Sequence, residues 1–270
     1  MKKLSFHAGR TLVCGILNVT PDSFSDGGSW NDTEAAIAHA LEMQEQGADM
    51  LDIGGESSRP GSEAVPLEEE KRRVLPVLRG LAGRLRIPIS VDTCKPEMAV
   101  LAVEAGADLI NDITGFRDPA MVKSAADTGA GAIAMHMQGE PRSMQVAPYY
   151  KDVVGEVKAF LAGSAEALGK AGVKDIILDP GIGFGKTLAH NLTLIARLGE
   201  LRALGYPVML GVSRKRFIGE LAGGGPDERL AGTIAACAAG AARGADIVRV
   251  HNVAECRRAM LVADAIGRAA

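Results

Sequence analysis

Apolar residues in this chain fall into eight short runs, and each run stops on a polar or conformationally special residue. In order, the endings are Asn18, Asp52, Asp92, Asn111, His136, Asp179, Gly211 and Arg249. The runs cover residues 11–19, 50–53, 88–91, 109–110, 132–135, 176–178, 208–210 and 247–250 and are rich in Val, Ile, Leu and Met. Short continuous apolar runs mark strands buried on both faces. Stretches with a different period separate them. Residues 33–46 place Ala36, Ile37, Ala40, Leu41 and Met43 on one helical face, and Gly47 stops the pattern. Helices are predicted likewise over 67–82, 96–105, 119–126, 150–171, 189–204, 228–243 and 254–268, with a short one starting near Lys215.

Strand followed by helix, repeated, implies parallel strands joined by crossovers. Eight such units in 270 residues average ~34 residues each, a usual size for a closed eight-stranded α/β barrel, the TIM barrel. An open doubly wound sheet is the alternative; the count of eight favours the barrel. No linker or low-complexity break divides residues 1–270, so they read as one domain. In a barrel the eight endings share the C-terminal rim, where residues distant in sequence meet one small molecule. Two connections, 20–31 and 54–66, are too long for tight turns and consist largely of turn formers.

Hydrophobic residues make up 47% of the chain, enough for a substantial core, and the net charge of −3 provides no general basic field for nucleic acid. Cys14, Cys94, Cys237 and Cys256 are widely spaced, without a C-x-x-C. That argues against a zinc ribbon or disulfide framework and suits a reducing cytoplasm. His7, His39 and His190 lack metal-ligand spacing. Ser5, His7 and Arg10 interrupt any signal-peptide core after Lys2-Lys3. The weakly apolar stretch between Arg229 and Arg243 falls short of the ~20 residues of a membrane span. A cytoplasmic protein with neither a membrane nor a nucleic-acid partner is expected.

The segment Asp179-Pro180-Gly181-Ile182-Gly183-Phe184-Gly185-Lys186-Thr187 invites a P-loop reading. The spacing fails: a P-loop needs glycine where Pro180 stands, and the dinucleotide pattern fails by one residue as well. The better reading is a glycine turn that lets a ligand approach the backbone, with Asp179 facing the rim. Asp92 and Asn111 end strands in the same way. Two carboxylates and an amide around one pocket suit a planar heterocycle rich in N–H donors; the bland alternative is helix capping. Arg214-Lys215-Arg216 follows the seventh run, and one of these cations above the rim would partner a carbonyl or an anion. Arg249 and His251 lie on one side of the eighth strand by alternation, a pairing suited to phosphate, which such barrels often hold at loops seven and eight. Asn18, on the neighbouring first strand, offers a neutral oxygen to Mg²⁺. Arg59 could swing over from the second loop, and His136 is equally readable as rim support or catalyst.

These segments together resemble dihydropteroate synthases. The matching pieces are residues 15–28, 52–61, 90–93, Asn111-Asp112, 135–137, 178–186, 213–219 and 249–251. Each alone is weak; all eight in this order are specific. The resemblance implies that Asp92, Asn111, Asp179 and Lys215 hold a pterin ring, with Met135 beside it. It implies that Asn18, Ser58, Arg59, Arg249 and His251 hold the diphosphate of 6-hydroxymethyl-7,8-dihydropterin diphosphate, with Asn18 at Mg²⁺. Phe24, Pro60, Phe184, Ser213 and Lys215 would form the p-aminobenzoate pocket. Arg249, His251, Lys215 and Asp92 would carry catalysis, in a homodimer that is a sulfonamide target. Ser58 departs from the threonine common in the family, keeping the hydroxyl. A pterin-binding methyltransferase shares the strand-end Asp and Asn, but its methyl donor carries no diphosphate for Arg249 and His251. A non-catalytic pterin-binding paralogue would not need the full set. Asp52 receives no direct role.

Overall fold

The computed structural model describes residues 2–6, 9–20, 28–57, 64–140 and 143–269, the side chains of 28–31 excepted. Its strands are β1 (Leu12–Asn18), β2 (Met50–Gly54), β3 (Ile89–Asp92), β4 (Leu109–Asp112), β5 (Gly131–Met135), β6 (Ile176–Asp179), β7 (Met209–Gly211) and β8 (Ile247–Val250). They pair in the order β6-β5-β4-β3-β2-β1-β8-β7, every pair parallel. The ring closes at a thin seam between β6 and β7. There Leu178 bridges to Val208 and donates its N–H to the Pro207 carbonyl at 2.9 Å. Eight parallel strands with helices between them form the expected TIM barrel.

The helices are α1 (Gly28–Glu45), α2 (Leu67–Leu81), α3 (Pro96–Glu104), α4 (Pro119–Thr128), α5 (Val153–Lys170), α6 (Leu188–Ala196), α7 (Gly199–Arg202), α8 (Arg216–Ala222), α9 (Leu230–Ala241) and α10 (Val253–Arg268). The apolar face read from α1 is the one it buries: Ala36, Ile37, Ala40 and Met43 are inside, and Leu41 is partly so. Asp118 starts α4 by accepting the Ala120 N–H at 2.8 Å, with Pro119 following where a missing N–H costs nothing. One long helix expected over 189–204 is instead α6 and α7. The chain breaks at Arg197 and tightens through Glu200 N–H to Arg197 O and Leu201 N–H to Leu198 O, each 3.0 Å. Tertiary packing overrides the period here: Leu198 and Leu201 are both fully buried as the chain turns back toward β7. Among the described residues, no helix is long and apolar enough to cross a membrane.

Strand alternation builds the barrel interior in layers. Leu12, Cys14, Met50, Leu109, Ile133, Ile177, Met209 and Ile247 form one apolar cluster, with Leu4 packed against it. Two residues further along each of seven strands, the inward positions become Ile16, Asp52, Asn111, Met135, Asp179, Gly211 and Arg249. On β3, Ser90 pairs in register with Asp52, and Asp92 follows two residues on. The barrel is therefore plugged with hydrocarbon below and polar at its mouth.

Gly240 of α9 supports the closing seam, because a Cβ there would run into Leu210 Cδ2 of β7. An exposed helical Gly→Ala change gains about 1 kcal/mol. Gly240→Ala should instead lose about 1–3 kcal/mol through overpacking, read by denaturant titration. Unchanged or increased stability would show that the seam has slack.

Candidate active site

Inside the mouth, Asp52 is fully buried and receives three side chains. Ser90 Oγ donates to Oδ1 at 2.5 Å; Asn111 Nδ2 and Arg249 Nε donate to Oδ2 at 2.9 and 2.6 Å. Arg249 also reaches Asp92 Oδ2 through a terminal nitrogen at 3.2 Å. Burial opposes the Arg249 charge, yet Asp52 and Asp92 outweigh it and move its pKa up, so it stays a cation. Asp92 is pushed the other way from an ordinary carboxylate: burial first, then the charge of Asp52, raise its pKa against the pull of Arg249.

Asp179 and Lys215 stand across the mouth. Burial raises the Asp179 pKa, opposed by Lys215 and by the Gly181 N–H that donates to Oδ1 at 2.7 Å. Burial lowers Lys215 to about 8, against the pull of Asp179. Gly211 keeps the space between them open. A Cβ there would lie 3.7 Å from Asp179 Oδ2, 3.8 Å from Lys215 Nζ and 4.0 Å from Arg249 Cβ. Asp52, Asp92, Asn111, Asp179, Lys215 and Arg249 are thus one constellation, drawn from six βα units.

Only one of the three consecutive cations enters it. Arg214 adopts a left-handed backbone (φ 57°) and donates its N–H to Thr233 Oγ1 at 3.0 Å. Its guanidinium turns to Asn252 Oδ1 (2.9 Å) and Asp227 (3.0 Å), while Arg216 pairs with Glu220 at 2.6 Å. Lys215 alone reaches inward, donating to the Ile182 carbonyl with its Nζ 4.7 Å from the Phe184 ring centroid. A non-glycine residue at positive φ costs about 1–2 kcal/mol, and here that strain separates three neighbouring charges.

The glycine segment is held from behind by Lys186, which is 3% exposed. Its Nζ bonds His136 Nδ1 at 3.0 Å and the Gly181 and Phe184 carbonyls at 2.9 Å each. Burial, then the Lys186 charge, drives the His136 pKa down to about 3, so its imidazole is neutral and Nδ1 accepts. His136 is out of phase with inward-facing Met135 and packs edge-on to Phe160 at 5.0 Å. It supports the mouth from outside the strands. Gly181 (φ 64°) has no room for a Cβ against the His136 carbonyl. Met135, Met137 and Met144 cluster there, with Phe184 packed on them.

Ser213 Oγ lies 2.9 Å from His251 Nδ1 and 3.2 Å from its backbone N–H. Arg249 and His251, read as one grip, therefore have different anchors: carboxylates for the first, a hydroxyl for the second. Asn18 closes β1 opposite Gly54. Phe24, Ser58, Arg59 and Pro60 lie outside the described residues. Sequence reasoning left Asp52, Ser90 and Lys186 unassigned. The signal for the first two was present: a polar residue on the inward phase of Met50 and in the middle of Ile89-Ser90-Val91.

A family model described as pterin binding enzyme matches residues 14–251. The dihydropteroate synthase of Escherichia coli (strain K12) is 47% identical over 255 residues, 94% of this chain and 90% of that protein. The fold superposes on the Yersinia pestis dihydropteroate synthase, crystallised with a sulfonamide drug complex, at TM-score 0.91 and 43% identity over 99% of both chains. It superposes on the Xanthomonas albilineans dihydropteroate synthase in complex with 7,8-dihydropteroate at TM-score 0.85 and 47% identity over 95% and 94%. With the buried constellation in the same barrel, these similarities identify the chain as a member of the pterin binding enzyme family, among the dihydropteroate synthases, transferases of folate biosynthesis.

Proposed function

We propose that this site joins 6-hydroxymethyl-7,8-dihydropterin diphosphate to p-aminobenzoate by a dissociative, SN1-like route, releasing pyrophosphate and 7,8-dihydropteroate. The observation that carries the route is the arrangement of charge: the partly buried Asp92 and the buried Asp179 share one mouth with the cations Arg249 and Lys215. The pterin ring donates N–H groups to Asp92 and Asp179, and Asn111 and Lys215 meet its remaining polar edge. Arg249 takes the diphosphate, with His251, Asn18, Ser58 and Arg59. As the C–O bond breaks, negative charge grows on the leaving group beside Arg249, and positive charge spreads from the methylene carbon into the ring beside the two carboxylates. The arylamine lone pair then forms the C–N bond, and the nitrogen releases a proton. An amine of such low basicity needs no strong general base. Phe184, Ser213 and the Lys215 stem form the near wall of the p-aminobenzoate site, with Phe24 and Pro60 from the long loops. A co-crystal of the Xanthomonas albilineans enzyme with 4-aminobenzoic acid supports that second substrate.

Mg²⁺ belongs to the same proposal. Among the described residues no group of three or more His, Cys, Asp and Glu side chains is placed to hold a metal. The single neutral oxygen of Asn18 fits an ion that keeps its waters and binds mainly through substrate phosphate. Asn18 would hold it, and its charge would offset that of the departing diphosphate. We also place the protein in the cytoplasm as a homodimer. The outer face of α10 exposes Leu261, Val262 and Ile266, an apolar strip suited to a second copy.

Purified protein given both substrates and Mg²⁺ should release pyrophosphate and form dihydropteroate; no product would sink the proposal. Arg249→Ala should lower kcat by about 10²–10³-fold while a pterin lacking the diphosphate binds almost as before. Equal loss of both would contradict the assignment of Arg249. Lys215 is protonated below about 8, so kcat/KM should fall as pH rises through that value, and Lys215→Arg should remove the alkaline limb from whatever activity remains. Proton uptake by Asp92 should add a decline on the acid side; a flat profile between about pH 6 and about pH 10 would refute both. Light scattering should return the mass of two chains, and a monomer at micromolar concentration would overturn the dimer.

A further inference from the structure

Asp52 has no part in the reaction set out above, yet side chains from three strands converge on it. It is fully buried, receiving Ser90 Oγ on one oxygen, and Asn111 Nδ2 and Arg249 Nε on the other. A buried carboxylate is tolerated only when its charge and lone pairs are answered, and here the answering groups belong to both halves of the site. We propose that Asp52 is a positioning residue that orients Arg249 for the diphosphate and Asn111 for the pterin ring at the same time, resting on the roles assigned to those two residues above.

Arg249 has five N–H groups in a rigid plane. Asp52 takes the Nε edge, which fixes the plane, and Asp92 takes one terminal nitrogen at 3.2 Å. When a pterin N–H engages Asp92, that second contact becomes contested. Asp52, fully buried, still holds the Nε edge and keeps the guanidinium in place, with its terminal N–H groups turned to an anion. Without Asp52, Arg249 has only Asp92 to neutralise it, and the ring must compete with the cation for the same carboxylate. Asn111 is an amide that can offer either end to a ligand. With Nδ2 held by Asp52 at 2.9 Å, its carbonyl oxygen is the end left for a pterin N–H. One carboxylate thus sets the polarity of the amide and the direction of the guanidinium.

Asp52→Asn separates charge from shape. The new amide can satisfy each neighbour: its oxygen accepts from Asn111 and Arg249, and its NH₂ donates to Ser90 Oγ, whose proton turns to the Leu51 carbonyl at 3.3 Å. The variant should therefore fold, with a melting temperature near that of the wild type. Its Kd for pterin diphosphate should weaken by about tenfold and kcat should fall by at least about tenfold, as expected for a lost charge-assisted bond. KM for p-aminobenzoate, whose wall lies across the mouth at Phe184 and Ser213, should change by less than about twofold. Asp52→Glu, which keeps the charge on a longer arm, is the second variant and should show the same split between substrates. In an Arg249→Ala background, Asp52→Asn should weaken pterin diphosphate by less than about threefold further, because the two residues act as a unit. Wild-type kinetics in both Asp52 variants, equal damage to both substrates, or losses that multiply across the cycle would overturn the positioning role. If Arg249→Ala alone leaves pyrophosphate affinity unchanged, the assignment of Arg249 to the diphosphate is what fails, and this proposal fails with it.

Discussion

The Asp52–Arg249 ion pair is the constraint on which the site depends. Its layer sits directly above a barrel interior of Leu12, Cys14, Met50, Leu109, Ile133, Ile177, Met209 and Ile247. Charges so close to hydrocarbon persist only as a paired and hydrogen-bonded set. Each member of this set therefore restricts the next. Arg249 requires Asp52 and Asp92, Asp52 requires Ser90 and Asn111, and four strands are locked in register around one mouth. Burial and then the Asp52 charge raise the Asp92 pKa while Arg249 pulls it back, so the pair also sets the charge of the carboxyl beside it. Stability and reactivity thus draw on the same few contacts.

Much of this was legible in the sequence because strands alternate strictly. Each strand lies within two residues of the run that predicted it, and the polar endings on the inward phase are the residues that converge. His136 shows what that reading lacked. It ends an apolar run as Asp179 does, but one step out of phase with Ile133 and Met135, so it faces Lys186 and Phe160 behind the strand. Asp52 had the correct phase, yet its importance comes from Arg249, 197 residues away. No local pattern carries that partnership. The choice of Lys215 among three cations was equally non-local, since Thr233 and Asn252 hold Arg214 aside. The α6–α7 break followed from burial of Leu198 and Leu201, which helical period alone does not foresee.

Lys186 explains why the glycine segment mimics a phosphate loop without being one. In a P-loop the lysine points at phosphate. Here it turns away from the mouth and spends its donors on His136 and two carbonyls of its own segment. The glycines serve the same end, since Gly181 must pass directly over the His136 carbonyl. The segment becomes a rigid wall rather than an anion cradle. It presents the Ile182 carbonyl and the Phe184 ring to Lys215, which limits where the Lys215 amine can go.

The two cations therefore have different kinds of freedom, and this suits a reaction that separates charge. Arg249 is held by fixed carboxylates and stays charged, as its proposed place beside a leaving diphosphate would need. Lys215 is held by a neutral carbonyl and an aromatic face, with its pKa lowered to about 8, so its proton responds to what occupies the mouth. In the proposed complex a pterin carbonyl beside it would favour the ammonium form, whereas a ring gaining positive charge would weaken that preference. In the proposed route the permanent cation would stand at the leaving group and the adjustable one at the ring, an order that suits a dissociative substitution.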